Sequence, residues 1–207
     1  MNPIDIASHG PVIPVIVIDR VEDALPLAEA LLAGGVKVLE VTLRTAAGLP
    51  AIEAIARHLP EAVVGVGTVL NADDARRASE AGARFAVSPG YTSAVGSACK
   101  GLNLPLLPGV ATSSEIMAAL ADGFSFLKLF PAEAVGGMPL LKSWASPFGQ
   151  VSFCPTGGIT NATASNYLAL PNVRCVGGSW LTPTDAVRAG DWARITELAR
   201  ATQALRK

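Results

Sequence analysis

Five lysines occur in the 207 residues, and four of them (Lys37, Lys100, Lys142 and Lys207) sit beside polar residues, turns or the terminus. Lys128 alone lies inside a strongly apolar run, Phe126-Leu127-Lys128-Leu129-Phe130. In an extended strand it shares a face with Phe126 and Phe130, and such a face is dry if it points inward. Desolvation disfavours the ammonium form of a lysine, and a neutral amine can attack a carbonyl to form a Schiff base. The alternative is a structural lysine paired with a carboxylate across the interior.

A carboxylate stands in a second apolar run, Val38-Leu39-Glu40-Val41-Thr42-Leu43-Arg44. Alternation puts Val38, Glu40, Thr42 and Arg44 on one face. Buried charges are costly unless paired, so a Glu, an Arg and a Lys on inward faces are not ordinary core filling. At strand rise, Glu40 and Arg44 stand roughly 13 Å apart, too far for a direct pair. Glu40 is expected deep, near Lys128, and Arg44 near the mouth, where its fork suits a carboxylate or phosphate. Simple neutralisation of Lys128 by Glu40 is the competing account, and it leaves Arg44 unexplained.

Two glycine clusters add an anion site. Thr156-Gly157-Gly158-Ile159 and Gly177-Gly178-Ser179-Trp180 each follow an apolar run. Glycines let backbone N–H groups approach phosphate oxygens, and Ser179 adds a hydroxyl. A lone Gly-Gly is usually a tight turn; two in successive loops point to phosphate. His9 and His58 are the only histidines, and without a His/Asp/Glu cluster no catalytic metal site is expected. Asp73, Asp74, Arg76 and Arg77 read as a solvated helix face, with Asn71 or Asp73 as N-cap.

Elements that could position these groups recur along the chain. Apolar runs at 12–18, 37–42, 63–67, 85–88, 106–108, 125–130, 151–155 and 173–176 start about 23 residues apart on average. Alanine-rich segments with helical spacing lie between them, such as 22–33, 46–58 and 72–81. Continuous apolar strands alternating with helices imply βαβ units and a parallel sheet. Gly34-Gly35, Gly82 and Gly123 each close a helix before the next strand. With no linker or composition shift, residues 1–207 read as one domain. A compact α/β (β/α)8 TIM barrel is predicted, with its phosphate site in the loops after strands seven and eight. An open doubly wound sheet is the runner-up, though no Gly-x-Gly-x-x-Gly follows the first strand.

Composition narrows the function class. Half the residues are hydrophobic and 16% charged, with a net charge of -1. That excludes disorder and offers no basic stripe for nucleic acid. Cys99, Cys154 and Cys175 are widely spaced and odd in number, which fits a reducing compartment and neither a disulfide framework nor a zinc site. Residues 143–173 carry no charge, but Pro147, Gly149, Pro155, Gly157 and Gly158 break them, so they do not read as a membrane span. Pro3, Asp5 and His9 precede the first apolar run, which does not read as a signal peptide. A cytoplasmic location is expected.

Taken in order, Glu40-Val41-Thr42-Leu43-Arg44-Thr45, Gly65-Val66-Gly67-Thr68-Val69-Leu70, Val87-Ser88-Pro89-Gly90 and Lys128-Leu129-Phe130-Pro131-Ala132 resemble the 2-dehydro-3-deoxy-6-phosphogluconate aldolase family, also known as the KDPG/KHG aldolases. Pro155-Thr156-Gly157-Gly158-Ile159 and Gly177-Gly178-Ser179-Trp180-Leu181 extend the resemblance over most of the chain. It departs at Ala46, where the family often has proline, and at Tyr91. The resemblance implies a class I aldolase, typically a homotrimer, that needs no cofactor. Its reaction splits 2-dehydro-3-deoxy-6-phosphogluconate into pyruvate and glyceraldehyde 3-phosphate, as in the Entner–Doudoroff pathway. Family members often also act on 4-hydroxy-2-oxoglutarate, and the C4 epimer of the phosphogluconate is not separated by any motif. Carried onto this sequence, the resemblance makes Lys128 the Schiff-base lysine and Glu40 the general acid/base. Arg44 and Thr68 then hold the substrate carboxylate, and Pro89 and Phe130 wall the pocket. Gly157, Gly158, Gly178 and Ser179 cradle the phosphate, while alternation turns Thr156 toward the pocket and the substrate's C4 hydroxyl. Two other classes share some of these residues. A phosphosugar isomerase or epimerase would use Glu40 and Lys128 without covalent chemistry, and a phosphometabolite-binding protein would have no use for a dry lysine.

Overall fold

The computed structural model describes residues 3–205. Parallel strands β1 (Val12–Ile16), β2 (Val38–Thr42), β3 (Val63–Gly67), β4 (Ala86–Val87), β5 (Leu106–Leu107) and β9 (Val176–Gly178) form a six-stranded sheet of order β5-β4-β3-β2-β1-β9. A second, three-stranded parallel sheet orders β6 (Gly109–Val110), β7 (Phe126–Leu129) and β8 (Ser152–Pro155). Helices α1 (Pro3–Ser8), α2 (Ala24–Ala33), α3 (Gly48–His58), α4 (Ala72–Glu80), α5 (Ser93–Gly101) and α6 (Ser113–Ala121) lie between or before strands. So do α7 (Gly137–Trp144) and α8 (Asn161–Leu168), and α9 (Thr184–Ala189) and α10 (Trp192–Thr202) end the chain.

Short polar side chains start the helices. Asn71 and Thr112 accept hydrogen bonds from the amides of Asp74 and Glu115, and Glu115 answers onto the Thr112 amide at 2.9 Å. Each satisfies amides that have no partner in the first helical turn. Gly35, Gly82 and Gly123 leave helices with positive φ, which a glycine adopts without the steric cost a Cβ would add.

Strand alternation divides the interior in two. Leu39, Val41, Val64, Val66, Leu127 and Leu129 pack outward against helix residues such as Ile52, Ile55 and Ile116. Ile13, Val38, Val63, Phe85, Val87, Leu107, Phe126, Cys154 and Cys175 form a separate inner cluster, joined by Ile6 of α1. Because Leu39 and Val41 face the helices, Glu40 between them must face inward. The same parity turns Lys128 inward between Leu127 and Leu129.

The backbone ladder corrects the predicted fold. A closed (β/α)8 TIM barrel requires one continuous eight-stranded ladder, whereas the strands here pair as a six-stranded half-barrel and a separate three-stranded sheet, an open α/β arrangement. The run at 106–108 does not continue as one strand; Pro108 separates β5 from β6, and proline has no N–H to give a ladder. On the other flank, β8 meets the chain before β9 and β9 itself only through isolated bridges, Phe153 to Val173 and Thr156 to Gly177. The last strand is also displaced from the predicted 173–176. It runs over Val176–Gly178, with Gly177 and Gly178 paired to Ile13 and Pro14 of β1. Those two glycines are strand residues, not a loop after the strand. Among the described residues, no helix is long and apolar enough to cross a membrane.

Candidate active site

β2 and β7 belong to different sheets, yet their inward charges meet. Lys128 Nζ lies 3.3 Å from Glu40 Oε1, with both side chains almost fully buried, at 4% and 3% exposure. The ammonium is also 5.1 Å from the Phe130 ring centroid, a distance at which the ring face attracts a cation. Register places Lys128 beside Gly109 on one flank and Cys154 on the other, and Glu40 beside Val15 and Gly65. A Cβ at Gly65 would strike the Phe85 ring, and one at Gly109 the Pro89 backbone, so these glycines make room for the neighbours that pack beside the pair. The Cys154 and Cys175 thiols line the same inner cluster. A hydrogen bond to Cys154 together with burial pushes the Cys175 thiol well up, and the Glu40 carboxylate adds in the same direction.

Gly67 was not singled out as a functional residue, but the geometry requires it. A Cβ at Gly67 would overlap Oε1 of Glu40. Glycine in a strand interior often marks such a close approach, so Gly65-x-Gly67 held a legible signal. Gly67→Ala is expected to push the Glu40 carboxylate off Lys128 and to lower kcat/KM about 100-fold, with a stability loss of about 1–3 kcal/mol from overpacking. Steady-state kinetics beside a thermal melt checks this; a parental rate in a folded variant would mean that Glu40 needs no fixed position.

Arg44 is not on the Glu40 strand, because β2 ends at Thr42, whose hydroxyl donates to the Ile16 carbonyl at 2.9 Å. Arg44 lies in the exposed turn beyond it, where its Nε donates to Thr68 Oγ1 at 3.2 Å. Thr68 follows β3 and has φ of 64°, an outlier for a β-branched residue. Strain of order 1–3 kcal/mol is retained at such positions when the surroundings enforce it, and they cluster at functional sites. The two residues expected to grip one carboxylate are thus brought together.

Thr156 is buried, and its hydroxyl donates to the Cys154 carbonyl at 3.3 Å. A Cβ at Gly177 would collide with that Thr156 hydroxyl, so Gly177 makes room for it. Gly157 and Gly158 have φ of 102° and 81°, which favours glycine at both. Gly178 accommodates the Trp180 ring, which a Cβ would overlap. Ser179 is exposed and, with Trp180, lines a cavity of about 550 Å³ that reaches Val15, Val17, Arg20 and Arg188. Val15 is the register partner of Glu40, which ties this cavity to the lysine–carboxylate face. Pro89 is half-buried after β4, as is Phe130 after β7. Alternation located the lysine and the glutamate; the cavity under Trp180 had no sequence signal.

A lone amine held dry against one carboxylate, on a parallel α/β scaffold with an arginine at the strand ends, is the layout of a class I aldolase. A family model described as KDPG and KHG aldolase matches residues 4–198. The KHG/KDPG aldolase of Escherichia coli (strain K12) is 54% identical over 195 residues, covering 94% of this chain and 92% of that protein. A crystal structure of KDPG aldolase from Legionella pneumophila, with pyruvate captured as a covalent carbinolamine intermediate, is 49% identical with a TM-score of 0.96 and covers 98% of both chains. The 2-keto-3-deoxy-6-phosphogluconate aldolase of Zymomonas mobilis ZM4, solved with 3-phosphoglycerate, is 50% identical with a TM-score of 0.94, covering 99% of this chain and 96% of that one. The protein is an aldolase, a carbon–carbon lyase. The chain belongs to the KDPG and KHG aldolase family.

Proposed function

We propose that this enzyme cleaves 2-dehydro-3-deoxy-6-phosphogluconate to pyruvate and glyceraldehyde 3-phosphate through a Schiff base on Lys128. The observation that carries the reading is the buried 3.3 Å contact between Lys128 Nζ and Glu40 Oε1. Proton loss from the ammonium, with Glu40 as the adjacent acceptor, frees the amine to attack the C2 carbonyl. Glu40 returns that proton to the carbinolamine hydroxyl, which leaves as water and gives an iminium that accepts the electron pair of the C3–C4 bond. Glu40, through a water, takes the C4 hydroxyl proton as that bond breaks and the aldehyde leaves. It then returns a proton to C3 of the enamine, and hydrolysis of the iminium releases pyruvate and the free lysine. One carboxylate serves all these proton transfers because they occur in sequence.

Arg44 and Thr68 hold the substrate carboxylate, and Thr156 faces the C4 hydroxyl. Pro89 and Phe130 wall the pyruvyl end. The phosphate lies against Gly157, Gly158, Gly178 and Ser179, where the positive-φ backbone and an exposed hydroxyl offer donors. 4-Hydroxy-2-oxoglutarate, which shares the 2-oxo-4-hydroxy acid core, is the second substrate. The full 207-residue chain works as a single domain in a cytoplasmic homotrimer, a state that sedimentation velocity would test.

The experiment is borohydride reduction with pyruvate, then intact mass and peptide mapping. A pyruvyl adduct confined to Lys128 is expected. A folded protein left unmodified would overturn the covalent mechanism and favour acid–base isomerisation by the same two residues.

A further inference from the structure

Tyr167 is the bulkiest fully buried side chain among the described residues. It rises from α8, and its hydroxyl donates to Glu133 Oε1. Burial, then the Glu133 carboxylate, pushes the phenol above its usual range, so it stays a donor at any physiological pH. Gly137 lets the phenol approach α7 this closely, since a Cβ there would come within 2.7 Å of the hydroxyl. Neither the phenol nor Glu133 makes a hydrogen bond to Lys128 or Glu40.

What this pair holds is the turn that follows the Lys128 strand. The Ala132 amide donates to the Thr156 carbonyl at 2.8 Å, and the Glu133 amide donates to the Gly157 carbonyl at 3.1 Å. Gly157 lies against Pro131, and a Cβ at Gly158 would strike the Glu133 side chain. Residues 131–133 therefore form the surface on which residues 156–158 are laid. Tyr167, reaching across from the helix that follows Gly158, fixes Glu133 at the far end of that surface. Without the phenol, the otherwise exposed Glu133 side chain, whose stem already lies against Gly158, loses the hydrogen bond that holds its carboxylate in place.

We propose that the Tyr167–Glu133 hydrogen bond positions the Gly157-Gly158 segment, and so sets affinity for the phosphate end of the substrate without entering the carbonyl chemistry. This rests on reading that segment as part of the phosphate cradle. Tyr167 and Glu133 are positioning residues: they act through the backbone of their neighbours and touch no reacting atom.

Tyr167→Phe keeps the buried ring and removes only the donor. Its KM for 2-dehydro-3-deoxy-6-phosphogluconate is expected to rise about five- to tenfold, the cost of one hydrogen bond, with kcat within about twofold of the parent. Exchange of the pyruvate methyl protons, which involves no phosphate, is expected to stay at the parental rate. Glu133→Gln exchanges the charge-assisted bond for a weaker neutral one and is expected to raise KM in the same direction, by no more than Tyr167→Phe does, with exchange at the parental rate. Circular dichroism establishes that each variant is folded. Equal losses in cleavage and exchange would overturn the proposal in favour of a general structural role. Ser179→Ala separates the underlying reading. If it raises KM while Tyr167→Phe does not, the positioning role falls and the phosphate cradle stands. If neither changes KM, the cradle reading falls and the proposal goes with it.

Discussion

Lys128→Met is expected to lower kcat/KM on 2-dehydro-3-deoxy-6-phosphogluconate by on the order of 10⁴-fold or more, and to abolish the borohydride-trapped pyruvyl adduct. Methionine preserves the apolar stem among Phe126, Phe130 and Cys154 and deletes only the amine, so the cavity left is small. The Glu40 carboxylate, at 2% exposure, then loses its cation. Removing one partner of a buried pair typically costs about 3–5 kcal/mol, so the assay belongs well below the melting transition. A folded Lys128→Met protein that turns over at a near-parental rate would end the Schiff-base mechanism. Residual trapping at another lysine would relocate it; Lys37, Lys100, Lys142 and Lys207 are the candidates to map.

Glu40→Gln tests the proton transfers separately from the covalent step. The amide is close in size, keeps an oxygen facing Lys128, and cannot carry a proton between C4 and C3. Exchange of the pyruvate methyl protons in D₂O, followed by NMR, is expected to slow by about 10²–10⁴-fold, the usual worth of a positioned general acid/base. The pyruvyl adduct on Lys128 is still expected under borohydride, but to accumulate more slowly, because solvent must then take the ammonium proton that Glu40 otherwise accepts. Unchanged exchange would remove Glu40 from the mechanism and leave it as a counter-ion alone. Complete loss of the adduct would mean that no other group can take the Lys128 proton, and the exchange rate would then report the failed covalent step.

Much of the site was legible because burial and charge conflict. A cation between Leu127 and Leu129, and a carboxylate between Leu39 and Val41, have no place in an apolar core unless they work or pair, and strand parity alone turns both inward. Arg44 was misplaced by the same parity. Alternation was extended past Thr42, where the strand stops, and only the turn brings the guanidinium to Thr68. Gly67 and Gly177 stand inside recognisable sequence motifs, which do not show that each is a space. Each leaves room for a side chain on a neighbouring strand, Glu40 and Thr156, and a residue's own type does not record which neighbour needs its absence.

By itself, the sequence determined the parallel α/β class, helices at 22–33, 46–58 and 72–81 with an N-cap at Asn71, most of the strands, and the inward placement of Lys128 and Glu40. These follow from propensity and periodicity, which are local along the chain. The tertiary structure decided how the strands join. Hydrogen-bond ladders link residues far apart in sequence, so apolar runs could not reveal the seam at Pro108, the isolated bridges beside β9, or the shift of that strand onto Gly177 and Gly178. It also decided that an amine and a carboxylate 88 residues apart stand 3.3 Å from each other. Only the folded chain sets that distance, because it depends on the two sheets facing one another and on a glycine that leaves the carboxylate room.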